Sequence, residues 1–482
     1  VITTNLIVQN SARLDAFLAH KAGQGFQTWL VTQSDFGTLT GQPPNGRAEK
    51  IRQWLKNNYV SKNIQYVLLI GNPDPDEPDR PDSVGDLPMK LLYPRNIEDE
   101  YRETASDFFY ADLTGNWDAD GDQYYGEYHG DNVAGGVDFM AEVYVGRIPV
   151  YNTQPGWAAQ LDSILQKTMD YELAGNPGWR HKALLPMAFT DWATDGAHIA
   201  EQIKANFLNS RGLTAYTLYE QGTNDPEYDS QFPSNEELVW PAVRNHWQNN
   251  PYGFVLWWAH GNYGIAEKVL ENDEVVYLDD SRPALVYQAA CYNGYPDYPT
   301  NLGYALLRQG AVGTISASSV TWYSTGSFHP KYDCADNGTL AYAFADLITA
   351  GKTAGEALYQ SKGGMGTCYY AVSWMNLDAH NLYGDPAVNL GIGGAPPDEG
   401  LSEVYVGAAK NGTVAGIPFT GADILHYTRA ANTWAMLFDA SDVGLNANVS
   451  AFTFLPDGSI LLTLAVNANV PGVGAVTPMD VI

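Results

Sequence analysis

A histidine and a cysteine each stand at the end of an apolar run of strand length. Phe254-Val255-Leu256-Trp257-Trp258-Ala259 leads into His260-Gly261, and Pro283-Ala284-Leu285-Val286-Tyr287-Gln288-Ala289-Ala290 leads into Cys291. A thiol becomes a nucleophile when a nearby base takes its proton, and imidazole is the side chain suited to that near neutral pH. The two residues are separated by 30 others, enough for one crossover between parallel strands. Parallel neighbours would bring both side chains to one carboxyl edge, where open α/β sheets bind ligands. Gly261 lets backbone approach a substrate, and its N–H could join that of Cys291 in an oxyanion hole. The bland alternative for each is a packed side chain at a strand end.

Such a pair needs a sheet to hold it, and the chain reads as one. Residues 6–8 are expected as a strand, and Ser11 as the cap of a helix through residue 22. A second strand is expected at 26–31. A helix at 47–58 follows from the spacing of Ile51, Trp54 and Leu55, and a buried strand lies at 66–71. This alternation predicts a parallel sheet with helices on its faces. Residues 73–136 are rich in Asp, Pro, Gly and Tyr, and so long an irregular stretch is usually functional or ion-bound. A strand at 142–148 and a helix at 155–173 restore the pattern.

A second α/β block follows. Strands are expected at 182–189, 214–219 and 311–316, besides the two that carry His260 and Cys291. Helices are expected at 195–208, 234–247, 302–309, 339–349 and 354–360, and a turn at 381–386. Residues 391–400 read as a Gly- and Pro-rich linker. Beyond them come short alternating strands at 404–408, 434–438, 451–454 and 460–464, with Pro456-Asp457-Gly458 as a hairpin turn. Residues 423–438 have the look of a single strand pair.

Composition narrows the class. The 482 residues suggest two to three domains. Lys and Arg total 26 and Asp and Glu 55, a net charge of −29, which argues against nucleic acid or anionic membrane as partner. It suits an extracellular protein with a taste for cationic substrates or Ca²⁺. No apolar run approaches the roughly 20 residues of a membrane span. No signal peptide precedes Val1, so any secretion signal or pro-segment is expected to be cleaved or to lie outside this sequence. Three cysteines allow one bridge, Cys334 to Cys368, with Cys291 left free.

The order of strand–His-Gly and strand–Ala-Cys resembles the caspase-like clan of cysteine peptidases, and within it the gingipain-type peptidases. The resemblance spans roughly residues 1–395. It rests on His260-Gly261 and Gln288-Ala289-Ala290-Cys291-Tyr292-Asn293-Gly294. It rests also on Ser106-Asp107-Phe108-Phe109-Tyr110-Ala111-Asp112, Tyr144-Val145-Gly146-Arg147-Ile148-Pro149 and Tyr383-Gly384-Asp385-Pro386. It implies a caspase-like α/β fold of two α/β subdomains with mostly parallel sheets, followed by a small all-β module. The expected divisions are an N-terminal subdomain at 1–178, a catalytic subdomain at 179–395 and the β module at 396–482.

The resemblance also distributes roles. Cys291 is the nucleophile and His260 the base and acid. Asp191 is the acid that orients the imidazole; its bland alternative is a helix cap. Asp195 is the acid that binds a basic P1 side chain, with a plain N-cap as the alternative reading. Asp333 is the alternative acid, and Trp322 is a wall of that pocket. Asp118, Asp120 and Asp122 occupy positions 1, 3 and 5 of a Ca²⁺ loop, to which Tyr124 would add a carbonyl and Glu127 a carboxylate. Gln123 stands where an EF-hand has Gly, and an acidic solvated turn is the alternative. The expectation is a secreted cysteine endopeptidase that cuts protein or peptide substrates after Arg or Lys. A sortase-like or self-processing peptidase is a second expectation. A non-catalytic cell-surface binding protein is the third, against which the intact His260 and Cys291 argue.

Overall fold

The apolar runs become strands because both of their faces find cover. The computed structural model describes residues 1–75, 84–96, 98–223, 225–330, 332–392, 403–408, 410–428, 433–455 and 459–482. Nine strands form the central sheet: β1 (Tyr66–Gly71), β2 (Tyr144–Pro149), β3 (Lys182–Met187), β4 (Thr214–Tyr219), β5 (Glu236–Glu237), β6 (Phe254–Trp258), β7 (Ala284–Ala289), β8 (Ala311–Ala317) and β9 (His380–Gly384). Their order across the sheet is β1-β2-β9-β8-β7-β6-β3-β4-β5.

Along β6, Phe254, Leu256 and Trp258 enter one core cluster while Val255 and Trp257 enter another. A strand covered on both faces reads as a continuous apolar run rather than an alternating one. Ala197–Ile203, Asn337–Thr349 and Ala354–Lys362 contribute helical residues to the first cluster, and Ala242–Trp247 and Leu302–Arg308 to the second. Each large side chain buried this way stabilises the fold by roughly 1.5–3 kcal/mol.

Every neighbouring pair is parallel except β8 and β9, which run antiparallel over Gly313↔Gly384 to Ala317↔His380. Hence β1, β2 and β9 run one way and the other six strands the other. The sheet is continuous between β2, before residue 178, and the strands after it. Residues 381–386, expected as a turn, lie largely in β9, with Leu382 and Tyr383 buried. Tyr383 donates its hydroxyl proton to the Gly294 carbonyl at 2.7 Å, which locks the strand beneath the turn after Cys291.

Conserving this joint is the work of two of the motif stretches. Arg147 on β2 is fully buried and forks onto Asp107, Nε to Oδ2 at 2.8 Å and Nη2 to Oδ1 at 2.6 Å. Its third nitrogen donates to the Leu87 carbonyl at 2.6 Å. The Asp107 N–H donates to Asn381 Oδ1 on β9. A bidentate pair of this kind fixes geometry as well as charge, so the irregular stretch before β2 is tied to the centre of the sheet.

Several local expectations are corrected. Residues 6–8 lie in a helix, Asn5–Asn10, whose start is capped by the Thr4 side chain accepting from the Ile7 N–H; only Ile7 of the apolar triplet is buried. Residues 26–31 form no strand; Val31 makes a single parallel bridge to Ile2, which also bridges Leu69 of β1. The N-terminal segment, not residues 6–8, runs beside the sheet. Ser234 starts no helix; β5 intervenes and the helix begins at Ala242. A helix at Ala371–Ala379 has no counterpart in the sequence reading.

The chain divides into two compact units, Val1–Gly394 and Ala395–Ile482. In the second, Glu403–Gly407, Ile424–Thr428 and Thr433–Phe438 form an antiparallel sheet. Three hairpins accompany it: Gly412–Val414 with Ile417–Phe419, Val449–Phe454 with Ile460–Leu464, and Ala468–Val470 with Gly474–Val476. Ala422, Leu445, Leu464 and Val476 belong to its own core. Most of the proposed linker and the Pro456-Asp457-Gly458 turn lie outside the described residues.

Candidate active site

Four neighbouring parallel strands, β8, β7, β6 and β3, end at one edge, and each hands a residue to the site just beyond its end. β7 delivers Cys291, β6 delivers His260, β3 leads to Thr190 and Asp191, and β8 leads to Thr321 and Tyr323. Cys291 is the free cysteine and half-buried; Cys334 and Cys368 are joined in a disulfide.

The thiol is held by one residue. The Thr321 N–H donates to Cys291 Sγ at 3.4 Å, and Thr321 Oγ1 and O each lie 3.7 Å from it. Asn337, in the first turn of its helix, donates Nδ2–H to Thr321 Oγ1 at 3.1 Å. That leaves the hydroxyl proton of Thr321 available to the sulfur. Thr321 thus places both an N–H and a hydroxyl beside the sulfur.

The imidazole is held by a backbone oxygen. His260 Nε2 lies 2.7 Å from the Thr190 carbonyl. A carbonyl only accepts, so Nε2 carries the proton and Nδ1 keeps the lone pair of a base. Among the described residues no hydrogen bond joins the thiol to the imidazole. Nor does Asp191 reach the ring. Its Oδ1 accepts from the Ala193 N–H at 2.8 Å and its Oδ2 from the Tyr323 hydroxyl at 3.0 Å. The same Tyr323 oxygen lies 3.2 Å from Thr190 O. Burial alone would raise the Asp191 carboxyl, but hydrogen bonds from Ala193, Thr194 and Tyr323 outweigh it and hold the group below the usual carboxylate range.

Gly261 is a glycine for lack of room. A Cβ there would stand 2.5 Å from Cys291 O, 2.8 Å from Ala290 Cβ and 3.0 Å from Cys291 N. The backbones of the two active-site turns therefore touch. The Glu267 N–H donates to His260 O, so strand alternation turns the Gly261 N–H away from that ladder.

Asp195 is buried and lines a narrow cavity with Trp258, Tyr323 and Asp336. Its Oδ1 accepts from the Ala197 N–H at 2.8 Å and its Oδ2 from Ser230 Oγ at 2.6 Å. Burial pushes its carboxyl above the ordinary value. Asp333 is exposed and does not line that cavity. Trp322 is half-buried, with the Arg95 guanidinium 5.2 Å above its ring. Its backbone is clamped by Asn376, which donates to Trp322 O and accepts from Trp322 N, both at 2.8 Å.

The acidic loop forms a separate cluster. Single oxygens of Asp118, Asp120 and Asp122 lie within 4.8 Å of one another. Asp118 accepts from the Gln123 N–H, and Asp122 from the Tyr124 N–H. Gln123 takes the positive φ, 72°, that favours glycine. Burial first, then repulsion from Asp122 and Asp120, raises Glu127 to about 7. Asp131 accepts from the Ala119 and Glu127 N–H groups and is raised to about 6, chiefly by burial. This donor set, oxygen-only and crowded, suits a hard divalent cation such as Ca²⁺.

Thr190, Thr321, Tyr323 and Asp131 escape the sequence reading. Asp131 had a signal, a further acid near the end of the same loop. The other three act through backbone or hydroxyl groups that no motif marks.

A free thiol and an imidazole at the carboxyl edge of a parallel sheet, with unshielded backbone between them, define a cysteine peptidase site on an α/β fold. The comparisons agree: the model of peptidase family C25 matches residues 1–391, and the chain belongs to that family. It is a cysteine-type endopeptidase of the gingipain type. The crystal structure of gingipain R (RgpB), an Arg-specific cysteine proteinase, is 15% identical with a TM-score of 0.56, over 96% of this chain and 94% of that one. The complex of the Porphyromonas gingivalis RgpB pro- and mature domains is 16% identical with a TM-score of 0.57, over 96% of each chain. At these identities the likeness concerns the fold. No curated protein sequence matches the chain.

Proposed function

We propose that this peptidase is a secreted enzyme that cleaves polypeptides after Arg or Lys. The observation that carries the catalytic part is the convergence of Cys291 Sγ, the lone pair of His260 Nδ1 and the Gly261–Cys291 backbone contact at one sheet edge. In this reading His260 takes the thiol proton and the Cys291 sulfur attacks the scissile carbonyl carbon. The N–H groups of Gly261 and Cys291 stabilise the oxyanion. The tetrahedral intermediate collapses to a thioester as His260 returns the proton to the leaving amine. Water, deprotonated by His260, then releases the acid and restores the thiol.

Asp191 acts at one remove, through Tyr323 and the Thr190 carbonyl, on the orientation of the ring. Asp195 is the favoured acid for a basic P1 side chain, because it is buried beside Trp258 and Tyr323; a carboxylate with two bonds retains acceptor capacity. Asp333, exposed, is the weaker candidate, and Trp322 stays a wall of the pocket in this reading. Asp118, Asp120, Asp122, Glu127 and the Tyr124 carbonyl, with Asp131 added, form the proposed structural Ca²⁺ site. The acidic net charge supports an extracellular setting, and the relative solved with its pro-domain supports a cleaved pro-segment. Among the described residues no helix is long and apolar enough to cross a membrane.

The test is hydrolysis of Arg-, Lys-, Leu- and Glu-aminomethylcoumarin peptides with reductant and Ca²⁺, beside Cys291→Ala. Release that depends on Cys291 and on a basic P1 is expected. Cys291-dependent release with no preference for a basic residue would remove the P1 assignment.

A further inference from the structure

A second cleft opens beside the nucleophile, and the reaction above does not use it. One wall is a cluster of tyrosines built on the two active-site turns. Tyr292 follows Cys291 directly, and Tyr263 lies two residues beyond Gly261. The Tyr263 ring stacks on Tyr295 with centroids 4.7 Å apart and meets Tyr292 edge-on at 5.3 Å. Tyr292 holds a positive φ of 56° while its N–H donates to the Ser319 carbonyl at 3.0 Å. Non-glycine residues persist in that conformation only where the surroundings enforce it, and such positions cluster at ligand clamps. Tyr263 remains 38% exposed, so part of the side chain is open to a ligand.

Much of the remaining lining is acidic. Among the described residues five carboxylates line the cleft, Glu98, Glu103 and Asp297 among them, beside one lining guanidinium, that of Arg102. Arg102 Nε lies 3.9 Å from Glu103 Oε2 and Arg95 bridges Asp99 at 3.5 Å, so two guanidinium groups stand against the five carboxylates. Aromatic faces attract cations through the ring quadrupole, and surplus carboxylates supply the counter-charge. An anionic side chain would meet repulsion here, and an apolar one would desolvate carboxylates without return. The cleft shares no lining residue with the cavity that holds Asp195.

We propose that this cleft is a second specificity subsite, which takes a Lys or Arg side chain of the polypeptide substrate at a position other than P1. The proposal rests on the peptidase reading and extends its substrate class to chains with two basic residues near the scissile bond.

The experiment uses quenched fluorescent peptides with Arg fixed at P1 and Lys or Glu placed in turn at P3, P2, P1′, P2′ and P3′. At one position Lys is expected to exceed Glu in kcat/KM by about tenfold, and the ratio should shrink in 0.5 M NaCl. In Glu103→Gln and Tyr263→Leu proteins that ratio is expected to fall towards one, while ratios at the other positions hold. Equal rates for Lys and Glu at every position, or a ratio that survives both substitutions, would overturn the subsite. A parallel arm measures binding of labelled Lys and Glu peptides to the Cys291→Ala protein by anisotropy. If no peptide is cleaved, the peptidase reading fails by itself, and this arm still decides. Preferential Lys-peptide binding that Glu103→Gln weakens upholds the subsite, and indifferent binding overturns it.

Discussion

The catalytic edge and the acidic loop both gather reactive side chains, but by opposite means. At the edge, residues from four separate segments are brought together by strands buried on both faces, and each group then finds a partner. The Thr321 N–H meets the sulfur, and the Thr190 carbonyl meets the imidazole. In the loop, Asp118, Asp120, Asp122, Glu127 and Asp131 come from 14 consecutive residues, and their neighbours are largely one another. The sheet positions chemistry through strands whose apolar side chains are buried on both faces. The loop buries and crowds like charges, and burial first, with repulsion added, raises the Glu127 and Asp131 carboxyls.

Substitutions at the edge should therefore abolish activity and leave the fold intact, while changes at the loop should do the reverse. The largest effect is expected for Cys291→Ala, which should lower kcat/KM by more than roughly a thousandfold with an unchanged melting temperature. His260→Ala should follow, at roughly 10²- to 10⁴-fold. Gly261→Ala tests the backbone contact. Its Cβ must displace the Cys291 carbonyl or amide, and a loss of roughly a hundredfold in kcat is expected with little change in KM.

At the loop the expected changes are in stability. Glu127 and Asp131 are raised in the folded state, from 4.5 to about 7 and from 3.8 to about 6. A raised acid binds protons more tightly when folded, so its contribution is present below its unfolded pKa and is lost as pH rises through the folded value. Without divalent cation the melting temperature should fall between about pH 4 and 7 on this account. Ca²⁺ should restore it at pH 7 and act weakly at pH 5. Asp120→Asn should blunt the response to Ca²⁺ and leave the kcat/KM of the Ca²⁺-saturated enzyme close to wild type. The smallest effect is expected for Thr321→Val, about fivefold in kcat/KM, the worth of one hydrogen bond.

The strands carrying His260 and Cys291 were legible because their two-sided burial leaves long apolar runs. β9 was not, because Asn381-Leu382-Tyr383-Gly384-Asp385-Pro386 carries the Asn, Gly, Asp and Pro of a turn, and only the tertiary contacts of Leu382 and Tyr383 make it a strand. Leu6-Ile7-Val8 misled for the converse reason: an apolar triplet with two β-branched residues lies in a helix fixed by the Thr4 cap and by Ile7 in the core. The reactive pair of the site could be read from residue type. The groups that orient it could not, since Thr190 acts through its carbonyl and Thr321 through its N–H, and every residue but proline has both.

The most direct measurement is covalent trapping. The protein is treated with an Arg-acyloxymethyl ketone, which alkylates a thiolate placed to attack a bound carbonyl, and the modified residue is mapped by mass spectrometry. Stoichiometric modification of Cys291, slowed at least tenfold in His260→Ala and blocked by a basic peptide, is the predicted result. Modification elsewhere, or labelling of Cys291 at the same rate in His260→Ala, would contradict the account.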